Sequence, residues 1–129
     1  MKYLCLIYDD EKKWETMSKA EADAYMGEYF QFTDGIKASG HYLGGNALQP
    51  VQTATTVRSR NGKLSTTDGP FAETKEQLGG FHIIEVADLD AAISWAARCP
   101  TALHGVVEVR PISEMKLTEL LEQIRASDA

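Results

Sequence analysis

The first strand of this chain has no face to spare for water. Lys2 to Tyr8 reads KYLCLIY, a short, aromatic-rich apolar run that signals a β-strand. Side chains alternate along a strand, so Tyr3, Cys5 and Ile7 share one face and Leu4, Leu6 and Tyr8 the other. A strand with one solvated face alternates apolar with polar residues. This one is apolar on both. Gly79 to Val86 (GGFHIIEV) repeats the feature, with Phe81 and Ile83 on one side and His82, Ile84 and Val86 on the other. The sheet that holds these strands needs cover on both faces.

Local signals set the order of the other elements. Ser18 and Glu21 form a capping box, and a helix follows from Lys19 to Ser39. Ala22, Met26, Tyr29, Thr33 and Ile36 recur on one stripe of it, widened by Phe30, which predicts its core face. Gly40 supplies a left-handed stop. His41 to Leu48 is a Gly-interrupted strand, closed by Gln49-Pro50. Thr53 to Arg60 and Lys63 to Thr67 flank Asn61-Gly62, a strong two-residue hairpin turn. Asp68-Gly69-Pro70-Phe71 is a turn or loop entrance, and Ala72 to Leu78 shows no strand pattern. Asp88 caps a helix with Leu89, Ala92, Ile93 and Ala96 on one face, and Pro100 ends it. Val106 to Pro111 is the last strand, and Leu117, Leu120, Leu121 and Ile124 mark a C-terminal helix within 113–126.

This order predicts one α+β domain over residues 1–129: a ferredoxin-like βαβ-type sandwich with an antiparallel sheet and an inserted hairpin. In such a sandwich the two long helices cover one sheet face. A second copy, sheet against sheet, is the simplest cover for the other, which predicts a symmetric homodimer.

Charge and motif content exclude several classes. Thirteen Lys and Arg against nineteen Asp and Glu give a net charge of −6, so direct nucleic-acid binding is not expected. No run approaches the ~18 apolar residues of a membrane span, and Asp9, Asp10 and Glu11 cut the first apolar run too short for a signal peptide. Cys5 and Cys99 are far apart and form no CxxC, which predicts reduced, buried thiols in a cytoplasmic protein. The G-x-S-x-G elbow and the phosphate loop are both absent, and no cofactor signature is present.

DGPFAETKEQLGGFHIIE, from Asp68 to Glu85, resembles the signature of the YCII-related, or DGPF-domain, family. GGNALQPVQTATTVR (Gly44 to Arg58) resembles the family's Leu-x-Pro and Thr-Ala-Thr-Thr-Val-Arg strand pair. DLDAAISWAARCP and VEVRPI resemble its second helix and final strand, so the likeness spans roughly residues 1–112. The resemblance implies a dimeric α/β barrel, two ferredoxin-like units with facing sheets. Some relatives are encoded near, or fused to, extracytoplasmic-function RNA polymerase sigma factors. Others are thought to act as small enzymes through a His–Asp pair whose His lies on the first helix. Here the helix from Lys19 to Ser39 contains no His, so that residue does not carry over.

Two groups of residues offer chemistry. In the first, Asp68 or Glu73 can accept a proton, and Lys75 can steady a substrate anion beside Glu76. The plain alternative is a turn in which Asp68 bonds its own backbone, followed by solvated charges. The second group faces the space between the sheets. Glu85 shares parity with Phe81 and Ile83, and Glu108 and Arg110 lie opposite Val107 and Val109. A carboxylate in a dry cavity has a raised pKa, and Arg110 can bind an oxyanion in bidentate fashion. A structural Glu–Arg pair is the alternative.

The histidines are His41, His82 and His104. His41 with Asp68 is the natural base–orienter pair to look for. His82 has the parity of a packed, hydrogen-bonded core histidine, and His104 sits in a loop. None has metal-ligand spacing, so no metal is expected. Two functions fit. One is a small-molecule binding or regulatory module, with a sigma-factor-linked context implied by the resemblance. The other is a small enzyme using acid–base residues in a cleft between the sheets.

Overall fold

The computed structural model describes residues 1–128. The strand with two apolar faces, β1 (Lys2–Asp9), lies inside a four-stranded sheet. It pairs antiparallel with β5 (Gln77–Glu85) on one side and β6 (Val106–Pro111) on the other. β5 in turn pairs antiparallel with β2 (Tyr42–Ala47), giving the order β2-β5-β1-β6. β3 (Thr55–Arg60) and β4 (Lys63–Asp68) form a separate two-stranded sheet. The helices are α1 (Lys12–Thr16), α2 (Lys19–Ala38), α3 (Leu89–Arg98) and α4 (Leu117–Asp128). The architecture is a mixed α/β fold with antiparallel sheets.

Register explains the sidedness. Cys5 stands opposite His82 and Val109, Tyr3 opposite Ile84, and Ile7 opposite Gly80 and Val107. This face packs on Phe32 and Ile36 of α2 and on Ala92 and Trp95 of α3. Ile36 and Ile84 are 1% and 0% exposed, and full burial of such a side chain stabilises by about 2 kcal/mol. Leu4, Leu6, Tyr8, Phe81 and Ile83 take the alternate positions, turned away from α2 and α3, and are half-buried.

The start signals are met, the capping box in its serine half only. Ser18 Oγ accepts from the Glu21 amide at 3.1 Å and donates to Glu21 Oε1 at 3.1 Å. Asp88 Oδ1 accepts from the Ala91 amide at 2.9 Å. Asn61 and Gly62 have φ of 53° and 75°, the double positive φ of a tight hairpin turn. Three features differ from expectation, the first being that Gln77 and Leu78 belong to β5 rather than to the patternless stretch before it. Lys12–Thr16, directly after the acidic stretch, forms α1, too short to show periodicity. The buried residues of α2 are Tyr25, Phe32 and Ile36, whereas Met26 and Phe30 are 45% and 62% exposed. Only part of the expected stripe is core.

Candidate functional site

The rest of that stripe lines a cleft. Met26, Tyr29, Phe30 and Thr33 of α2 form one wall of a space of about 670 Å³. Ile7, Gly45, Gly80 and His82 supply the sheet side, and Asp9, Glu11, Trp14 and Glu15 the rim at the end of β1 and on α1. The far rim comes from Ala47, Leu48, Pro50 and Gln52. A volume of several hundred Å³ with mostly apolar walls and a few polar groups is typical of small-molecule sites.

Backbone economy opens this space. A Cβ on Gly45 would lie 2.4 Å from the Phe81 carbonyl oxygen, 2.8 Å from His82 Nδ1 and 3.0 Å from Tyr42 Oη. Glycine is therefore required where β2 runs against β5. Gly79 is skipped in the register between β1 and β5, since Ile7 faces Gly80 but Tyr8 faces Leu78. The bulge lies in β5, and alternation along β1 puts Asp9 on the cleft side with Ile7. Glu11 then ties the rim together. Its amide donates to Gln77 Oε1 at 2.9 Å, and its Oε1 accepts from the Val51 amide at 3.0 Å. Asp9 Oδ1 accepts from the Asp10 amide at 2.8 Å and pairs with Lys13 Nζ at 3.5 Å.

Deeper in, the hydroxyls of Tyr25 and Tyr29 share Thr101. Tyr25 Oη lies 2.9 Å from Thr101 Oγ1, Tyr29 Oη bonds the same oxygen, and Tyr29 Oη is 3.4 Å from Cys99 Sγ. Burial pushes both tyrosine hydroxyls above their ordinary range, so they stay protonated at neutral pH. Cys5 and Cys99 are buried and free. Burial, and then the neighbouring Cys99, raises the Cys5 thiol to about 11, which makes it unreactive.

His82 sits between Phe32 and Tyr42, with ring centroids 5.7 and 5.8 Å away. Neither of its buried ring nitrogens has a hydrogen-bond partner among the described residues. Its parity is the expected one, but the expected hydrogen bonds are missing, because its neighbours are aromatic rings and a glycine. Burial lowers its pKa, so the ring is neutral at pH 7.

None of the eight residues singled out from sequence lines this cleft. His41 precedes β2, with Nδ1 2.9 Å from the Glu85 carbonyl oxygen and its ring against Trp95. Asp68 ends β4 opposite Thr55 in the separate hairpin. His41 is tied to the Glu85 end of β5 and Asp68 belongs to the other sheet, and among the described residues no hydrogen bond or ion pair joins the two. Glu73 and Lys75 are exposed in the loop before β5.

The remaining four do share a face. Leu6 lies opposite Phe81 and Glu108, Leu4 opposite Arg110, and Lys2 opposite Glu85. This is the face turned away from α2 and α3, and Glu85, Glu108 and Arg110 are exposed on it. Sequence reasoning missed Asp9, Glu11, Trp14, Tyr29 and Thr101 as site residues. The available signal was the acidic Asp9-Asp10-Glu11 run directly after a buried strand.

Comparison with known proteins follows this geometry. Residues 1–116 match the YCII-related domain. The chain belongs to the YCII-related family. This YCII-related chain is 37% identical over 122 residues to an uncharacterised protein of Rhizobium meliloti (strain 1021), covering 93% of this chain and 98% of that one. It is also similar in fold to 5-chloro-2-hydroxyhydroquinone dehydrochlorinase (TftG) from Burkholderia phenoliruptrix AC1100, solved in complex with 2,5-dihydroxybenzoquinone. There the TM-score is 0.50 at 17% identity, over 89% of this chain and 96% of the other. At that identity the likeness is one of fold. Among the described residues no group of three or more His, Cys, Asp or Glu is placed to hold a metal ion. Among the described residues no helix is long and apolar enough to cross a membrane.

Proposed function

We propose that this YCII-related chain binds a small organic molecule in the cleft between α2 and the β2–β5 edge, and that it works as a homodimer joined through the opposite sheet face into an α/β barrel. The observation that carries the reading is the cleft itself, about 670 Å³ with Trp14, Tyr29, Phe30 and Tyr42 among its walls. The fold neighbour is by name a dehydrochlorinase and was solved with a small ring compound bound, which supports a small-molecule site on this architecture. The dimer is supported by the apolar residues Leu4, Leu6, Phe81 and Ile83 on the face that α2 and α3 leave open. Two free, buried thiols support a reducing, cytoplasmic setting.

A small acid–base enzyme is the second reading. His82 favours it, as a neutral imidazole in the cleft wall with no partner on either buried nitrogen among the described residues.

Thermal-shift screening of a library of small organic compounds, with 2,5-dihydroxybenzoquinone included, tests the site. Compounds that raise the melting temperature of the wild type should fail to do so with Thr33→Trp, which fills the cleft. Asp68→Asn and Glu108→Gln should respond as the wild type does. A response kept by Thr33→Trp and lost in Glu108→Gln would move the ligand to the space between sheets and overturn the reading.

A further inference from the structure

The chemistry of the cleft wall narrows its ligand, given that the cleft is the binding site. Three carboxylates line it, those of Asp9, Glu11 and Glu15, and among the described residues no Lys or Arg does. His82 is held neutral by burial and adds no compensating charge. Lys13 pairs with Asp9 at 3.5 Å while its ammonium also donates to the His104 carbonyl at 2.8 Å, so it offsets one of the three charges and leaves the lining net negative. The whole chain carries −6, so the surrounding field has the same sign.

The apolar part of the wall is aromatic and open. Trp14 and Phe30 are 41% and 62% exposed, with Tyr29 further in. Trp14 is held by a T-shaped contact with Tyr25 at 5.0 Å. Exposed apolar groups gathered at the mouth of a cleft mark a place where something binds. An anion entering here would lose its water beside three carboxylates, a strongly unfavourable exchange. A cation gains from the carboxylates and from the ring faces together. Tyr42, on the sheet side, already has the Lys37 ammonium 5.5 Å from its ring centroid. The open end for a ligand cation is therefore the Trp14 end.

We propose that the cleft selects an organic cation, an ammonium group on a ring-sized hydrocarbon. Its charge lies toward Asp9 and Glu15, and its hydrocarbon lies against Trp14, Tyr29 and Phe30. Glu11 acts as a positioning residue, since its Oε1 is engaged by the Val51 amide at 3.0 Å.

The test uses three probes with one skeleton and three charges: phenethylamine, 2-phenylethanol and phenylacetate. Ligand-observed NMR titration of the full chain should show phenethylamine binding about tenfold more tightly than the alcohol, with phenylacetate the weakest. The Asp9→Asn/Glu15→Gln double variant should lose most of that preference and keep its affinity for the alcohol. Asn at position 9 retains the oxygen that the Asp10 amide uses, and Glu15 is exposed, so the fold should persist. Added salt should weaken the amine and leave the alcohol unchanged. Equal binding of amine and alcohol, or tighter binding of phenylacetate, overturns the cation inference while the cleft stands as a site. Binding of the probes at unchanged affinity by Thr33→Trp, or no binding by any probe, overturns the cleft reading as well.

Discussion

His82 is the residue whose environment departs most from what its type demands. A buried polar group without a partner forfeits its hydration, at a cost of about 1–3 kcal/mol, and His82 has two such atoms. His82→Leu should therefore raise stability by about 1 kcal/mol at neutral pH, read as a shift in the urea midpoint. The pH dependence has a definite sign. The folded-state pKa lies below the ordinary 6.5, so under acid conditions the unfolded chain takes up the proton first. Stability is complete above about pH 6.5 and falls as the pH drops below it. Between about pH 7.5 and 5.5 the wild type should lose more stability than His82→Leu does. Parallel losses in the two proteins would show that the imidazole does not sense burial. Gly45 beside it makes the opposite case. Gly45→Ala drives a methyl to 2.4 Å from a backbone oxygen, and overpacking of this kind should cost about 2 kcal/mol or more.

The elements were the most legible level. Capping residues, the Asn61-Gly62 turn and strand parity each depend on neighbours within a few positions, so Ser18, Asp88 and β1 could be read directly. α1 was missed because five residues cannot display a helical period. The core stripe of α2 was misassigned for a related reason. Its buried and cleft-lining residues are both apolar, and periodicity does not separate a packed face from an open one. Tyr25 and Phe32 went inward, while Met26 and Phe30 turned to the cleft. The site was illegible on the same grounds, since it joins the end of β1, α1, α2 and β2 across long separations in sequence. Gly27 gives a prediction at this scale. It lies inside α2, and a Cβ there would meet nothing within 4 Å. Gly27→Ala should stabilise the protein by about 0.5–1 kcal/mol, measured by urea denaturation, with the response of the cleft to its ligands unchanged.

At the scale of the whole molecule, the two apolar faces of β1 have different fates within one chain. The Tyr3–Cys5–Ile7 face is buried under α2 and α3, while the Leu4–Leu6–Tyr8 face is only half-buried. The open face has an apolar centre of Leu4, Leu6, Phe81 and Ile83, with the charged residues Lys2, Glu85, Glu108 and Arg110 around it. An apolar centre inside a polar rim is the pattern of protein interfaces, which supports the proposed dimer. Net charge opposes self-association, because each copy brings −6, so the proposed dimer requires burial of the centre to outweigh the repulsion. Two consequences follow from that balance. Salt screens the charges and leaves the apolar term in place, so raising ionic strength should tighten the dimer rather than weaken it. Leu6→Asp places a new carboxylate in the apolar centre, opposite Phe81 and Glu108. In sedimentation equilibrium the wild type should have twice the 14.2 kDa chain mass and Leu6→Asp the single-chain mass. The wild-type melting temperature should also rise with protein concentration, as mass action requires of a dimer that stabilises its own fold. A wild type that sediments at the single-chain mass at micromolar concentration would mean that this face is not covered by a second copy.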